Sequence, residues 1–252
     1  MRNFNRLFVI SLPRCATVSV ARAVGMLGIP IAHLGRIFSE SNARSETAEP
    51  HFELSTLRHL HHQILNGDFH LDLLLECRGL ADYPACCPNV LSNLDREFPG
   101  SLFINVRRDT SVDHWLQSVE IQFVGSELLA AKSGHDSDFL QLMELLRCFR
   151  LWTFGNESFD AQQYRMAYDH YQAWVTEYFC DRDQLLSISH TELLEAQGFT
   201  QICDFFQIES VPQLAFPRSN QHSHAPRRAF FDALRRGAIQ STTGIVPNKF
   251  PE

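Results

Sequence analysis

The sequence predicts an α/β protein of three layers, with a central parallel sheet between helical layers and an added helical subdomain. Three observations predict it. Apolar runs of strand length, RLFVIS at 6–11, LDLLLECRGL at 71–80 and SLFINV at 101–106, have the composition of strands covered on both faces. Segments of helical periodicity separate them, and such alternation favours a parallel sheet sandwiched between helix layers. From about 126 to 180 the chain is instead mostly helical, which predicts the subdomain. At 252 residues the length favours one domain over 1–252, with the helical subdomain at about 126–180 and a C-terminal tail at about 211–252.

Taken in order, the strand at 6–11 leads into a helix over 17–27, with small and apolar residues on one face and Gly28 just past its end. A second short strand covers about Ile29 to His33. SESNARSETAEP, 39–50, is polar and aperiodic and reads as an exposed loop. Leu54 to Leu65 reads as a helix ending near Asn66 and Gly67, and 71–80 as the third strand. After Asp82-Tyr83-Pro84 a helix starts at Pro84 and runs to about Glu97, then Phe98-Pro99-Gly100 turns the chain into the strand at 101–106. Thr110 to Phe123 is amphipathic and opens with Thr and Ser, both good N-cap residues. FGNESFD, 154–160, breaks the long helical stretch. LLSISH, 185–190, is the last strand, and 191–208 a helix carrying Gly198. The tail from Val211, rich in Pro, Asn, His and Arg, reads as partly irregular.

Composition excludes several classes. With 44% hydrophobic and 20% charged residues the chain is neither disordered nor membrane-spanning. A net charge of -7 argues against a general nucleic-acid binder, which needs a basic face. The N-terminus enters a strand within a few residues and carries no signal-peptide pattern, so the expected location is cytoplasmic. Seven cysteines, an odd number without paired spacing, fit thiols in a reducing compartment better than a disulfide framework. HLHH at 59–62 has no second ligand group at a recognisable spacing, and no metal is expected.

The chemistry concentrates in SLPRCATVS, 11–19. A tight loop from strand to helix leaves backbone N–H groups unpaired at a helix N-terminus, where the dipole also favours an anion. Arg14 adds a permanent cation, and Thr17 and Ser19 add hydroxyls. Aligned on the nucleotide triphosphatase pattern G-x-x-x-x-G-K-[ST], Ala16 stands at the last Gly, Thr17 at the Lys and Val18 at the magnesium-binding hydroxyl. Valine cannot ligate a metal, so the loop suits a phosphate bound without magnesium.

LPRCATVSV resembles the 5′-phosphosulfate loop of the P-loop sulfotransferases, in particular those with an L-P-R-T-G-T-T-S-L version. The resemblance continues through DYP, FPG, LFINVRRD and HWLQSV, then FG at 154–155, AYDHYQAWVTEYF, LLSI, GFTQICDFFQI, VP and FPRSN, in family order from about 6 to 220. It implies a P-loop α/β fold and an enzyme that moves a sulfuryl group from 3′-phosphoadenosine 5′-phosphosulfate to a hydroxyl or amine of a small-molecule acceptor, without a metal.

The same resemblance implies roles. Arg14 is the electrostatic catalyst and Thr17 a phosphate ligand, while Pro13, Cys15, Ala16, Val18 and Ser19 complete the loop. Arg108, with Arg107 as a second candidate, and Ser118 stand where the family holds the 3′-phosphate; the interval is about two residues longer than usual, so Ser111 is an alternative to Ser118. Asp82 is the candidate general base, with N-capping of the following helix as its competing role and His33, His114 and His170 as alternative bases. RRAFFDALRRG, 227–237, reads as an amphipathic surface helix, and the aromatics Phe139, Phe149, Trp152 and Phe154 as core or an acceptor pocket. Ala16 and Val18 depart from the family's Gly and hydroxyl. Two other functions stay open: a small-molecule kinase, and a nucleotide-binding relative without turnover.

Overall fold

The computed structural model describes residues 1–45, 52–109, 111–133, 137–195, 197–219 and 224–244. Among them are six strands in one sheet, β1 Leu7–Val9, β2 Ile31–His33, β3 Arg36–Phe38, β4 Gly79–Ala81, β5 Leu102–Arg107 and β6 Leu185–Ser189. The order across the sheet is β3-β2-β4-β1-β5-β6, parallel throughout except for β3, which pairs antiparallel with β2. The helices are α1 Thr17–Met26, α2 Leu54–Leu65, α3 Leu73–Glu76, α4 Pro88–Glu97, α5 Val112–Ser133, α6 Ser137–Phe154, α7 Ala161–Tyr178, α8 His190–Leu194, α9 Gly198–Phe206 and α10 His224–Arg235. The predicted α/β class with a central parallel sheet is the observed one, apart from antiparallel β3 at its edge. Among the described residues no helix is long and apolar enough to cross a membrane.

The chain forms two compact units, Met1–Asp109 with His170–Gln221, and Thr110–Asp169 with His222–Glu252. The first contains the whole sheet. β1 is fully buried at its centre, and Phe8 packs between Phe103 and Phe98, with ring centroids 5.7 and 6.3 Å away. Phe179 closes on Phe103 at 4.7 Å. A Cβ at Gly79 would stand 1.8 Å from the Leu7 carbonyl oxygen, so glycine is required where β4 lies against β1. The second unit is helical. Trp115, Tyr164, Phe149 and Phe154 are buried in it, which makes Phe149 and Phe154 core residues. α10 is the predicted amphipathic helix and buries Ala229, Phe230 and Ala233. Past α10 the chain is tied to α5 through buried Glu120, which accepts hydrogen bonds from the Thr242 N–H at 2.6 Å and the Ser241 hydroxyl at 2.9 Å.

Several boundaries differ from the sequence reading. The run at 71–80 is one turn of helix followed by a three-residue strand. Leu71 takes a left-handed φ of 42°, and Leu75 is 83% exposed, so the run is not covered on both faces. The helix expected from Pro84 starts at Pro88, because Cys87 is extended and Pro88 supplies the preset φ of a first helical residue. The helix expected over 191–208 is two helices, α8 and α9. Antiparallel β3, between the strand expected at 29–33 and the loop expected at 39–50, has three residues, too few for an alternating pattern to show.

Gly198 explains the break. It opens α9, and a Cβ there would lie 2.0 Å from the Leu193 carbonyl oxygen at the end of α8. Gly198→Ala is expected to destabilise the protein by about 2 kcal/mol through this overpacking. Thermal unfolding should show a fall of about 4–8 °C.

Candidate active site

In an open parallel sheet, ligands bind where neighbouring strands send their connections to opposite sides. β1 and β5 are such neighbours here: the next sheet strand after β1 is β2 on one side, and after β5 it is β6 on the other. Their carboxyl ends separate visibly. Ile10 N–H still donates to the Ile104 carbonyl at 2.9 Å, but the next rung is made by a side chain, the Val106 N–H donating to Ser11 Oγ at 2.7 Å. Tyr171 Oη donates to the Ile10 carbonyl at 2.5 Å and fixes the same point from α7.

The loop then tightens. Arg14 and Ala16 both take positive φ, 69° and 57°, on either side of Cys15, whose N–H donates to the Leu12 carbonyl at 3.1 Å. Left-handed residues in a tight turn swing successive N–H groups toward one side and make an anion-binding concavity. α1 starts at once, with Ala16 as N-cap and no side-chain capping bond, so its first amides lie at the positive end of the helix dipole. The Ala16 Cβ makes this left-handed position cost about 1–2 kcal/mol.

Cationic charge converges on the loop. Arg108, half-buried just past β5, donates from Nη2 to the Arg14 carbonyl at 2.7 Å. Arg107, the last residue of β5, is exposed, and its charge acts on Glu192. The structure thus brings Arg108, and not Arg107, to Arg14. Burial pushes the Cys15 thiol up to about 12, against the pull of Arg108, so this thiol stays protonated and is a poor nucleophile. His190, at the start of α8, is pushed down to about 4 by burial and by the charge of Arg108. It is therefore neutral at pH 7, and the arginines provide the charge.

Beneath the helix start lies a buried polar cluster. Thr17 Oγ1 donates to Asp82 Oδ2 at 2.6 Å, and His33 Nε2 lies 3.3 Å from both of those oxygens. Asp82 Oδ1 accepts the Tyr83 N–H at 2.8 Å. All three side chains are more than nine-tenths buried and come from the carboxyl ends of three strand connections, after β1, at the end of β2 and after β4. Asp82 does not cap α4, whose N-cap is Cys87. Its role as a cap, one of two suggested by sequence, is excluded.

Pro13 and Val18 are buried, and Val18 presents no hydroxyl. Ser19 Oγ accepts the Ser219 N–H at 3.1 Å, and Arg22 binds the carbonyls of Ala43 and Ser45 and the Ser219 hydroxyl, so that segment docks on α1. Ser111 and Ser118 belong to the second unit, where Ser111 Oγ accepts the Asp113 N–H and caps α5. Thr110 and Asn220 lie outside the described residues. His114 and His170 are exposed, and of the alternative bases His33 is the one that reaches Asp82. HLHH holds His59 on Asp72 and His62 on Asn66, and among the described residues no group of three or more His, Cys, Asp or Glu could hold a metal. Sequence reasoning missed Ser11, Tyr171 and His190. None has a local signal, since each acts through a contact distant in the chain.

Comparison with known proteins adds the family. A sulfotransferase domain model matches residues 6–225. No curated protein matches the chain significantly. Among solved structures, a sulfotransferase from Alicyclobacillus acidocaldarius is 15% identical over 94% of this chain and 93% of its own, with a TM-score of 0.48. A sulfotransferase domain from the curacin biosynthetic pathway is 15% identical over 84% of this chain and 77% of its own, with a TM-score of 0.42. Since the family model runs from the start of β1, through the loop and cluster described above, into α10, this chain belongs to the sulfotransferase family.

Proposed function

We propose that the chain transfers the sulfuryl group of 3′-phosphoadenosine 5′-phosphosulfate to a hydroxyl or amine of a small-molecule acceptor, by in-line displacement without a metal. The observation that carries this reading is the left-handed Arg14–Ala16 turn at the start of α1, closed by Arg108. The amides at 15–18 bind the 5′-phosphate, and Arg14 stands beside its bridging oxygen. As the acceptor oxygen or nitrogen bonds to sulfur, the bond from sulfur to that bridging oxygen breaks and leaves an extra negative charge on the phosphate. A fixed cation and oriented amides stabilise that charge at the moment it develops. Arg108 takes the 3′-phosphate as a planar fork. Asp82 receives the acceptor's proton. Seven free cysteines support placing the reaction in the cytoplasm.

A second reading, magnesium-dependent phosphoryl transfer, draws support from the Thr17–Asp82 pair. A hydroxyl on the phosphate loop beside an Asp from a neighbouring strand is the pair with which P-loop phosphotransferases hold magnesium. Family membership and buried Val18 weigh against it.

Calorimetric titration separates the two. Adenosine 3′,5′-bisphosphate is expected to bind in the micromolar range, and Arg108→Ala to weaken it by about tenfold to a hundredfold, the worth of charged hydrogen bonds. Tighter binding of magnesium-ATP, or no binding of the bisphosphate, would overturn the donor assignment. Ala16→Gly removes about 1–2 kcal/mol of left-handed strain and adds about 0.5–1 kcal/mol of chain entropy to the unfolded state, so it should stabilise the protein by about 0.5 kcal/mol. Thermal unfolding of that variant checks the sign, and its bisphosphate affinity should be at least that of the wild type.

A further inference from the structure

The Thr17–His33–Asp82 cluster contains a conflict that the reading above does not resolve. Thr17 has one hydroxyl hydrogen, and it is directed at Asp82 Oδ2, 2.6 Å away, rather than at the phosphate concavity. A phosphate on the loop also needs donors. Turning that hydrogen to the phosphate would leave a buried Asp82 oxygen short of a hydrogen bond, which is costly for a charged group.

The position of His33 supplies the missing donor. Its Nε2 lies 3.3 Å from Thr17 Oγ1 and 3.3 Å from Asp82 Oδ2. A carboxylate oxygen can only accept, and Thr17 Oγ1 has already given its hydrogen to Asp82, so toward His33 it can only accept as well. These two neighbours of Nε2 are both acceptors, so the hydrogen is assigned to Nε2. His33 cannot then take a proton at that nitrogen, which removes it as a base toward an acceptor and makes it a standing donor. Asp82 Oδ1 is meanwhile held by the Tyr83 N–H, so the carboxyl group cannot swing away when Thr17 turns.

We propose that Thr17 is a two-position hydroxyl, bonded to Asp82 when the loop is empty and to the 5′-phosphate when it is filled, and that His33 is the positioning residue whose Nε2–H takes over at Asp82. The inference rests on the donor reading above. It gives the loop a second contact, from β2, with the group that receives the acceptor's proton. Donor binding would thereby free one Asp82 lone pair from the Thr17 hydroxyl while keeping the carboxyl group fixed.

The test has two arms. In the free protein, nitrogen-15 spectra of histidine-labelled chain should show the His33 ring in its Nε2–H form, with signals that move in Thr17→Val. A ring protonated at Nδ1 with a bare Nε2 would overturn the donor role of His33, whatever binds the loop. In the second arm adenosine 3′,5′-bisphosphate is titrated into wild type, His33→Leu and His33→Gln. His33→Leu should bind about tenfold more weakly, as expected for one lost hydrogen bond to a charged group, and His33→Gln, which keeps an N–H donor, should recover most of the loss. The His33 signals should shift on binding in the wild type and not in Thr17→Val. Equal affinity in His33→Leu and wild type would overturn the two-position hydroxyl and leave the donor reading intact. Failure of the wild type to bind would instead overturn the donor reading and with it the switch, while the first arm still decides the protonation of His33.

Discussion

The separation of β1 from β5 at their carboxyl ends is the constraint on which the site depends. As long as the two strands run together their amides are consumed by the ladder, and nothing is left to face a ligand. At Ser11 the ladder passes from backbone to side chain, and the Tyr171 hydroxyl takes the Ile10 carbonyl. The chain is then released into a turn, in which the Cys15 N–H donates to the Leu12 carbonyl. Two left-handed residues complete the turn before α1 begins, and the Arg108 bond to the Arg14 carbonyl closes it from the β5 side. Gly79 belongs to the same construction, because β4 can present Asp82 beneath the loop only by lying directly against β1.

The electrostatics of the site are local and run against the charge of the whole chain. A net charge of -7 repels anions at long range, so attraction of an anion to the loop must come from the arginines and the helix start. The neighbouring titratable groups are arranged so as not to oppose it. Burial keeps the Cys15 thiol protonated, and burial with the charge of Arg108 keeps His190 neutral. Asp82 lies beneath the start of α1, where its carboxylate accepts from the Thr17 hydroxyl and the Tyr83 amide, with His33 Nε2 3.3 Å away.

Much of this was legible in the sequence where the signal is local. The strand–loop–helix start at 11–19, the helix over Leu54–Leu65 and the core strand at 101–106 follow from apolar runs, caps and turn residues, and the structure has them close to these bounds, the strand at Leu102–Arg107. Asp82 and Arg108 could be picked out because each stands just past a strand end. What failed was local reading of long-range geometry. LDLLLECRGL is apolar enough for a buried strand, yet Leu75 faces solvent and four of its residues form a helical turn. Gly198 read as a tolerated glycine and is instead the point where two helices meet too closely for a Cβ. A lone His33 carries almost no sequence signal, because its meaning comes from Thr17, sixteen residues before it, and from Asp82, which is itself sixty-five residues from Thr17 along the chain.

The central claim is that the turn at 14–16 and the start of α1 hold the 5′-phosphate of the sulfuryl donor. A crystal structure of the protein with adenosine 3′,5′-bisphosphate tests it most directly. The account predicts the 5′-phosphate within hydrogen-bond distance of the amides at 15–18 and beside the Arg14 side chain, with the 3′-phosphate on Arg108. A bisphosphate bound elsewhere, or one whose 5′-phosphate lies away from the α1 N-terminus, would contradict it.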